Sequence, residues 1–202
     1  MVITDPVLLR GRDTVAVCRA AVAGGATMIQ VRWKDGSPAD VLQMTRSLVA
    51  ALPVPILVND RADIALAAGA AGVHLGWEDP PLDSLRPHIP ADFLLGISVG
   101  TPDEAARARA RASSADYWSI GPCFATPNKS DAGPPLGLEG FAALARLAPE
   151  GVPVIGIGGI TAANASAIVD AGAAGVAVIG AVLSAADPES AARGLRGAVS
   201  RV

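Results

Sequence analysis

Ala171-Gly172-Ala173-Ala174-Gly175-Val176 repeats, letter for letter, the earlier stretch Ala68-Gly69-Ala70-Ala71-Gly72-Val73. In each, an Ala-rich segment of helical character ends at a Gly, and a short aliphatic run follows at once. A Gly just past a helix supplies a left-handed C-cap, and the small residues after it allow a tight turn into a strand. Ala23-Gly24-Gly25-Ala26 is a third, looser copy. A recurring helix-to-strand joint favours a closed barrel of βα units. An open doubly wound sheet of about five or six strands is the alternative at this level.

Working outward from these joints, aliphatic runs alternate with Ala-rich stretches along the whole chain. The runs Val2–Thr4, Met28–Val31, Ile56–Asn59, Gly72–His74, Leu94–Ser98, Tyr117–Ile120, Val154–Ile157 and Val176–Ile179 are predicted strands. The predicted helices are Asp13–Ala23, Pro38–Ala51, Arg61–Ala68, Leu82–Arg86, Pro102–Ala112, Leu138–Leu147, Ala162–Ala171 and Pro188–Val199. Strands apolar on both sides, separated by helical patterns, read as a parallel sheet covered by helices. Eight such units in 202 residues give about 25 residues each, at the small end for a (β/α)8 barrel. No linker, charge block or low-complexity segment interrupts the pattern, so residues 1–202 are expected to form a single (β/α)8 TIM barrel domain.

Composition narrows the function classes. With 51% hydrophobic and 17% charged residues, the chain is not of the disordered class. A net charge of −3 gives no bulk attraction to nucleic acid or to an anionic membrane. The longest uncharged apolar run, Ala171 to Ala186, has 16 residues, fewer than the roughly 20 a membrane helix needs. Cys18 and Cys123 have no metal-ligand spacing, and no targeting segment precedes the first strand. A reduced, cytoplasmic protein acting on small molecules is the expectation, with monomer and homo-oligomer both open.

Barrel chemistry sits at the C-terminal ends of the strands. Those ends carry Gln30, Arg32, Lys34, Asn59, Asp60, His74, Asp79 and Ser98. The chain has only two lysines among 16 basic residues, Lys34 and Lys129, and both fall in strand-end loops. A lysine is a compact, strongly hydrated point charge suited to phosphate. Asp60 and Asp79 follow neighbouring strands, and two such carboxylates can share a Mg²⁺ that bridges to substrate phosphates. The bland alternatives are a helix N-cap for Asp60 and a surface turn for Asp79. Gly158-Gly159 and Gly180 end the last two strands, where bare peptide N–H groups can hold a phosphate; the competing reading is relief of crowding in a tight turn. Lys129 lies in Gly121–Gly137, 17 residues without helical or strand pattern, long enough to suggest a functional loop. His74 reads as a hydrogen-bonded core residue, Trp33 and Trp118 as packing, and His88 and the Arg107–Arg111 cluster as surface. A magnesium–polyphosphate site with a second phosphate site is as far as the residues themselves lead.

The ordered motifs resemble the thiamine phosphate synthase family: Ile3-Thr4-Asp5, Gln30-Val31-Arg32-Trp33-Lys34-Asp35, Val58-Asn59-Asp60-Arg61, Gly72-Val73-His74-Leu75-Gly76-Trp77-Glu78-Asp79, Gly96-Ile97-Ser98, Gly121-Pro122-Cys123-Phe124-Ala125-Thr126-Pro127-Asn128-Lys129 and Gly156-Ile157-Gly158-Gly159-Ile160-Thr161. The resemblance implies a (β/α)8 transferase of thiamine biosynthesis. It would couple a pyrimidine methyl diphosphate with a thiazole phosphate, with Mg²⁺, to give thiamine phosphate and diphosphate. By the same resemblance, Gln30, Arg32, Lys34, Asn59, Ser98 and Lys129 hold the diphosphate substrate, with Lys34, Lys129 and Ser98 catalytic, and Asp60 and Asp79 hold the metal. Thr126 and Asn128 meet the thiazole phosphate, whose phosphate rests on Gly159, Ile179 and Gly180.

The sequence departs from that family at several places. Gly100 stands where a His is frequent, Asn128 where a Thr is usual and Gly180 where a Ser is usual; Trp33 and Trp77 are also atypical. The sister thiazole tautomerases need the His as their acid–base group and tend to lack the second metal carboxylate. Retained Asp79 and Lys129 and the missing His therefore disfavour a tautomerase. A catalytically silent phosphate-binding relative is the other alternative.

Overall fold

The computed structural model of the chain describes residues 1–110, 115–126 and 133–200. Its strands are β1 (Val2–Ile3), β2 (Ile29–Val31), β3 (Ile56–Asn59), β4 (Gly72–Leu75), β5 (Leu94–Val99), β6 (Tyr117–Ile120), β7 (Val154–Ile157) and β8 (Gly175–Ala177). They form one eight-stranded sheet in chain order, every adjacent pair parallel. The sheet closes where Val2 bridges Val178 and the Ile3 N–H donates to the Val178 carbonyl at 2.9 Å. Closure rules out the open sheet and makes the fold a (β/α)8 barrel.

The helices are α1 (Pro6–Leu9), α2 (Thr14–Ala23), α3 (Pro38–Ala51), α4 (Ala62–Ala68), α5 (Leu82–Leu85), α6 (Pro102–Ala110), α7 (Gly137–Ala145), α8 (Ala165–Asp170), α9 (Gly180–Leu183) and α10 (Pro188–Val199). Side-chain caps start several of them. Asp13 accepts the Ala16 N–H at 2.6 Å, Ser37 the Asp40 N–H at 3.2 Å, and Asp187 the Ser190 N–H at 3.0 Å. Each satisfies a donor that the first helical turn leaves without a partner. Helix α8 begins three residues later than the Ala pattern predicts, because Asn164 accepts the Thr161 N–H at 2.8 Å and holds that stretch in a turn. Helix α5 ends early and continues as a 3-10 turn over Arg86–His88. The predicted end of α6 at Ala112 lies outside the described residues.

Two short helices were not expected, α1 and α9. Four residues are too few to show a helical period. Helix α1 nevertheless carries a local signal: Asp5 accepts the N–H groups of Val7 and Leu8, and Pro6 opens the helix.

Side chains alternate along each strand. Val31, Val58, Val73, Leu95, Trp118 and Val154 share one buried cluster with Leu48, Phe141, Ile168 and Leu195 from the helices. This is the layer between sheet and helices. Leu48 and Phe141 are fully buried there, and truncating either to Ala is expected to cost about 2–5 kcal/mol. The intervening residues Ile3, Leu57 and Tyr117 are buried outside that cluster, and Gln30, His74 and Ser119 are buried polar residues of the same set. They fill the barrel's interior. Among the described residues, no helix is long and apolar enough to cross a membrane.

Candidate active site

The end of β3 turns sharply. Asp60 has φ +64°, a left-handed conformation that Asp tolerates better than most residues. The Arg61 N–H donates to the Asn59 carbonyl at 2.8 Å across it, and the Asp60 N–H donates to the His74 carbonyl of β4 at 2.8 Å. A bond that spans one residue with positive φ is a γ-turn of the strained kind. The helix-cap reading of Asp60 fails here: the N-cap of α4 is Arg61, and no side chain caps that helix.

The turn brings Asp60 to Asp79. The two side chains hydrogen-bond each other, and partial burial together with the Asp79 charge raises the Asp60 pKa to about 6. Lys34 and Arg32 pull it the other way. Four residues predicted from three separate strand ends therefore share one electrostatic environment. Asp79 also closes its own turn by accepting the Gly76 N–H at 2.7 Å, so it has a structural duty besides its position. Among the described residues, no group of three His, Cys, Asp or Glu could hold a metal. Two crowded carboxylates next to cations suit Mg²⁺, which keeps waters and takes phosphate oxygens as further ligands, better than a closed zinc site.

Arg32 is held at the β1–β2 junction. Its guanidinium lies 3.8 Å from the Asp5 carboxylate, and its backbone N–H donates to Thr4 Oγ1 at 2.9 Å. Lys34 is exposed in the turn that follows, where a Cβ on Gly36 would come within 2.6 Å of the Trp33 ring. Trp33 thus packs over its own turn, and Trp118 is fully buried, as expected for packing residues. His88 and Arg107 are exposed. Lys129, Asn128 and Arg111 lie outside the described residues.

A polar line crosses the barrel interior below the mouth. His74 Nε2 is 3.0 Å from Ser98 Oγ, and His74 Nδ1 is 2.9 Å from the Tyr117 hydroxyl. Gln30, buried in the same interior, donates its side-chain N–H to Met1 Sδ at 3.7 Å. The bland expectation for His74, a hydrogen-bonded core residue, holds. Sequence reading missed Tyr117 and Gly96. A Cβ on Gly96 would sit 2.1 Å from Tyr117 Cζ, so only a glycine there lets the phenol cross from β6 to β4. The register Gly96↔Tyr117 is the signal that could have found them, and it exists only once β5 and β6 are paired.

The ends of β7 and β8 form a second region. Gly158 and Gly159 have φ of +95° and +65°. A Cβ would come within 2.7 Å of Pro122 Cα at Gly158, and within 2.6 Å of the Ala125 carbonyl at Gly159. The loop after β6 is laced to them by the Cys123 and Phe124 N–H groups, which donate to the Ile157 and Gly158 carbonyls at 2.8 and 3.0 Å. Crowding therefore does require these glycines, and Thr126 is the residue that follows Ala125 in the loop packed on them. Gly180 opens α9, whose N-cap Ile179 provides no side-chain hydrogen bond. Gly100 donates its N–H to Glu104 at 2.6 Å and brings no acid–base group to the mouth.

Comparison with known proteins gives a consistent result. The family model described as thiamine monophosphate synthase matches residues 1–182. The chain is 45% identical over 202 residues to the thiamine-phosphate synthase of Roseiflexus sp. (strain RS-1), covering 98% of this chain and 84% of that protein. It is 46% identical over 199 residues to the thiamine-phosphate synthase of Methanoculleus marisnigri, covering 96% and 92%. Among solved structures, a thiamine phosphate pyrophosphorylase from Pyrococcus furiosus superposes with a TM-score of 0.85 at 36% identity, covering 98% of this chain and 93% of that one. A 3-hexulose-6-phosphate synthase, with a TM-score of 0.72 at 22% identity over 98% and 99% of the two chains, shares the fold.

Proposed function

This chain belongs to the thiamine monophosphate synthase family, and from that premise we propose that it couples a pyrimidine methyl diphosphate to a thiazole phosphate, releasing diphosphate. The observation that carries the reading is the Asp60–Asp79 pair under the influence of Lys34 and Arg32. Two carboxylates that crowd each other without a cation, beside two cations that suit phosphate oxygens, form the donor set a magnesium diphosphate needs. Mg²⁺ held by Asp60 and Asp79 would supply charge neutralisation at the diphosphate oxygens.

The remaining chemistry falls to the chain's own groups. Gln30, Arg32, Lys34, Asn59 and Ser98 hold the diphosphate substrate around β2 to β5, together with Lys129. Lys34, Lys129 and Ser98 stabilise charge as the bond between the pyrimidine methyl carbon and the diphosphate oxygen breaks and its electron pair leaves on the diphosphate. The pyrimidine ring delocalises the resulting cation, and the thiazole nitrogen donates its lone pair to the methyl carbon. Thr126 and Asn128 orient the thiazole, and peptide N–H groups at Gly159, Ile179 and Gly180 hold its phosphate. No side-chain nucleophile takes part, so catalysis is positioning and electrostatics.

The test is direct. Purified protein with Mg²⁺ and both substrates is expected to release diphosphate and form thiamine phosphate, read as fluorescence after oxidation. Binding of both phosphorylated substrates without turnover would replace this reading with that of a silent binder.

A further inference from the structure

Gly76, Trp77 and Glu78 lead from β4 to Asp79, and the Asp79 carboxylate closes them into a ring by accepting the Gly76 N–H at 2.7 Å. Little supports that ring from behind. A cavity of about 160 Å³ lies there, bounded by Leu75 and Ile97 of the sheet, Leu82 of α5 and Ala108 of α6, and it reaches Gly76 and Asp79 themselves. Atoms that face a void have no packing partners on that side. Trp77 lines the same cavity, and its Nε1 is buried with no hydrogen-bond partner among the described residues. A buried indole is ordinarily fixed by its N–H. Here the face of the ring is gripped instead. The Arg107 guanidinium of α6 lies over it, with Cζ 5.1 Å from the ring centroid, within the reach of a cation–π contact. Arg107 Nε–H also donates to the Asp103 carbonyl of its own helix at 3.4 Å, which anchors the guanidinium to α6.

We propose that Arg107 is a positioning residue: by gripping the Trp77 ring from α6 it latches the Gly76–Asp79 turn and holds the Asp79 carboxylate where it meets Asp60. Arg107 is exposed, and taken alone it reads as a solvated surface charge. Its task comes from the ring beneath it and from the void behind that ring. Trp77 is also a position at which the sequence departs from its family, so the latch is a device of this chain and not one the resemblance supplies. The consequence for a magnesium diphosphate rests on the proposed reading of Asp79; the hold on the turn does not.

Two measurements test it. In ligand-free protein, amide exchange at Gly76 followed by NMR reports opening of the turn, and Arg107→Gln should speed it about two- to fivefold. Arg107→Lys keeps a cation over the ring and should restore most of the protection. In a Trp77→Leu background Arg107→Gln should change nothing further, because the ring it grips is gone. With inorganic diphosphate and Mg²⁺ as the probe, calorimetry should show the same loss of affinity for Arg107→Gln. A contact that only stabilised the fold would lower the melting temperature and leave the affinity of the folded protein alone. Unchanged Gly76 exchange overturns the latch. So does an affinity loss that persists in full in the Trp77→Leu background, since the Arg107 charge would then act on the diphosphate directly. Exchange that responds while the affinity of a binding protein does not would overturn the hold on Asp79. If Trp77→Leu fails to fold, the Gln and Lys variants still decide. Gly76 exchange that responds as expected in a protein that binds no diphosphate would keep the latch and reject the function proposed for the mouth.

Discussion

The Asp60 carboxyl hydrogen-bonds the Asp79 carboxyl across the β3–β4 gap, and Asp60 holds that position with a left-handed backbone. Strain and like charge meet at one residue, neither of which helps the fold. Such costs persist where function requires the arrangement.

A pH dependence follows from the raised Asp60 pKa. Above the ordinary carboxylate value the unfolded chain has lost this proton while the folded protein still holds it. Stability from this group is thus complete at low pH and is lost as pH rises toward and through about 6. Denaturant melts of metal-free protein should show that decline, and Asp60→Asn should flatten it. The same variant is expected to lose about a hundredfold or more in turnover while melting no lower than wild type. A large drop in melting temperature would show that the carboxylate supports the turn.

Asp79 should separate its two duties by variant. Asp79→Asn keeps an acceptor for the Gly76 N–H, and Asp79→Ala removes it at a cost of about 1 kcal/mol. Both should abolish the rise in melting temperature that Mg²⁺ with diphosphate gives the wild type by binding the folded state. Only the Ala variant should also melt lower without ligand. Equal basal melting of the two variants would mean that the Gly76 bond contributes nothing.

Gly96→Ala should expel the Tyr117 ring from its course, since the new methyl would lie 2.1 Å from Cζ and 2.3 Å from the hydroxyl. Overpacking of this kind costs about 1–3 kcal/mol. Combined with Tyr117→Ala, the cost should not add, because the clash is gone. Additive losses in the double-mutant cycle would show that Gly96 matters for another reason.

Gly180→Ser tests the second phosphate region. The hydroxyl would add a donor at the start of α9, which lacks a side-chain cap. A hydrogen bond to a charged group contributes about 1.5–3 kcal/mol, part of which a bridging water already recovers in the glycine form. The Michaelis constant for the thiazole phosphate should fall several-fold, and that for the pyrimidine diphosphate should not move. A change confined to the diphosphate substrate would displace the second phosphate from β7 and β8.

The sequence by itself determined the eight-fold alternation of elements, because apolar strand runs and Gly-ended helices are local patterns that need no partner to be read. The matched joints at Gly69 and Gly172 both have positive φ, at +70° and +107°, as their position predicts. It also determined which polar residues stand at strand ends, since the C-terminal end of a strand is known as soon as its direction is. Tertiary structure decided which of these meet. Asp60 reaches Asp79 only because β3 lies beside β4 and a γ-turn bends the chain inward, and no spacing in the sequence encodes that φ. The line from Tyr117 through His74 to Ser98 links three strands, β6, β4 and β5, through the inside of a closed barrel. Its physical basis is the missing Cβ of Gly96, a gap that has meaning only when the side chain that fills it comes from another strand.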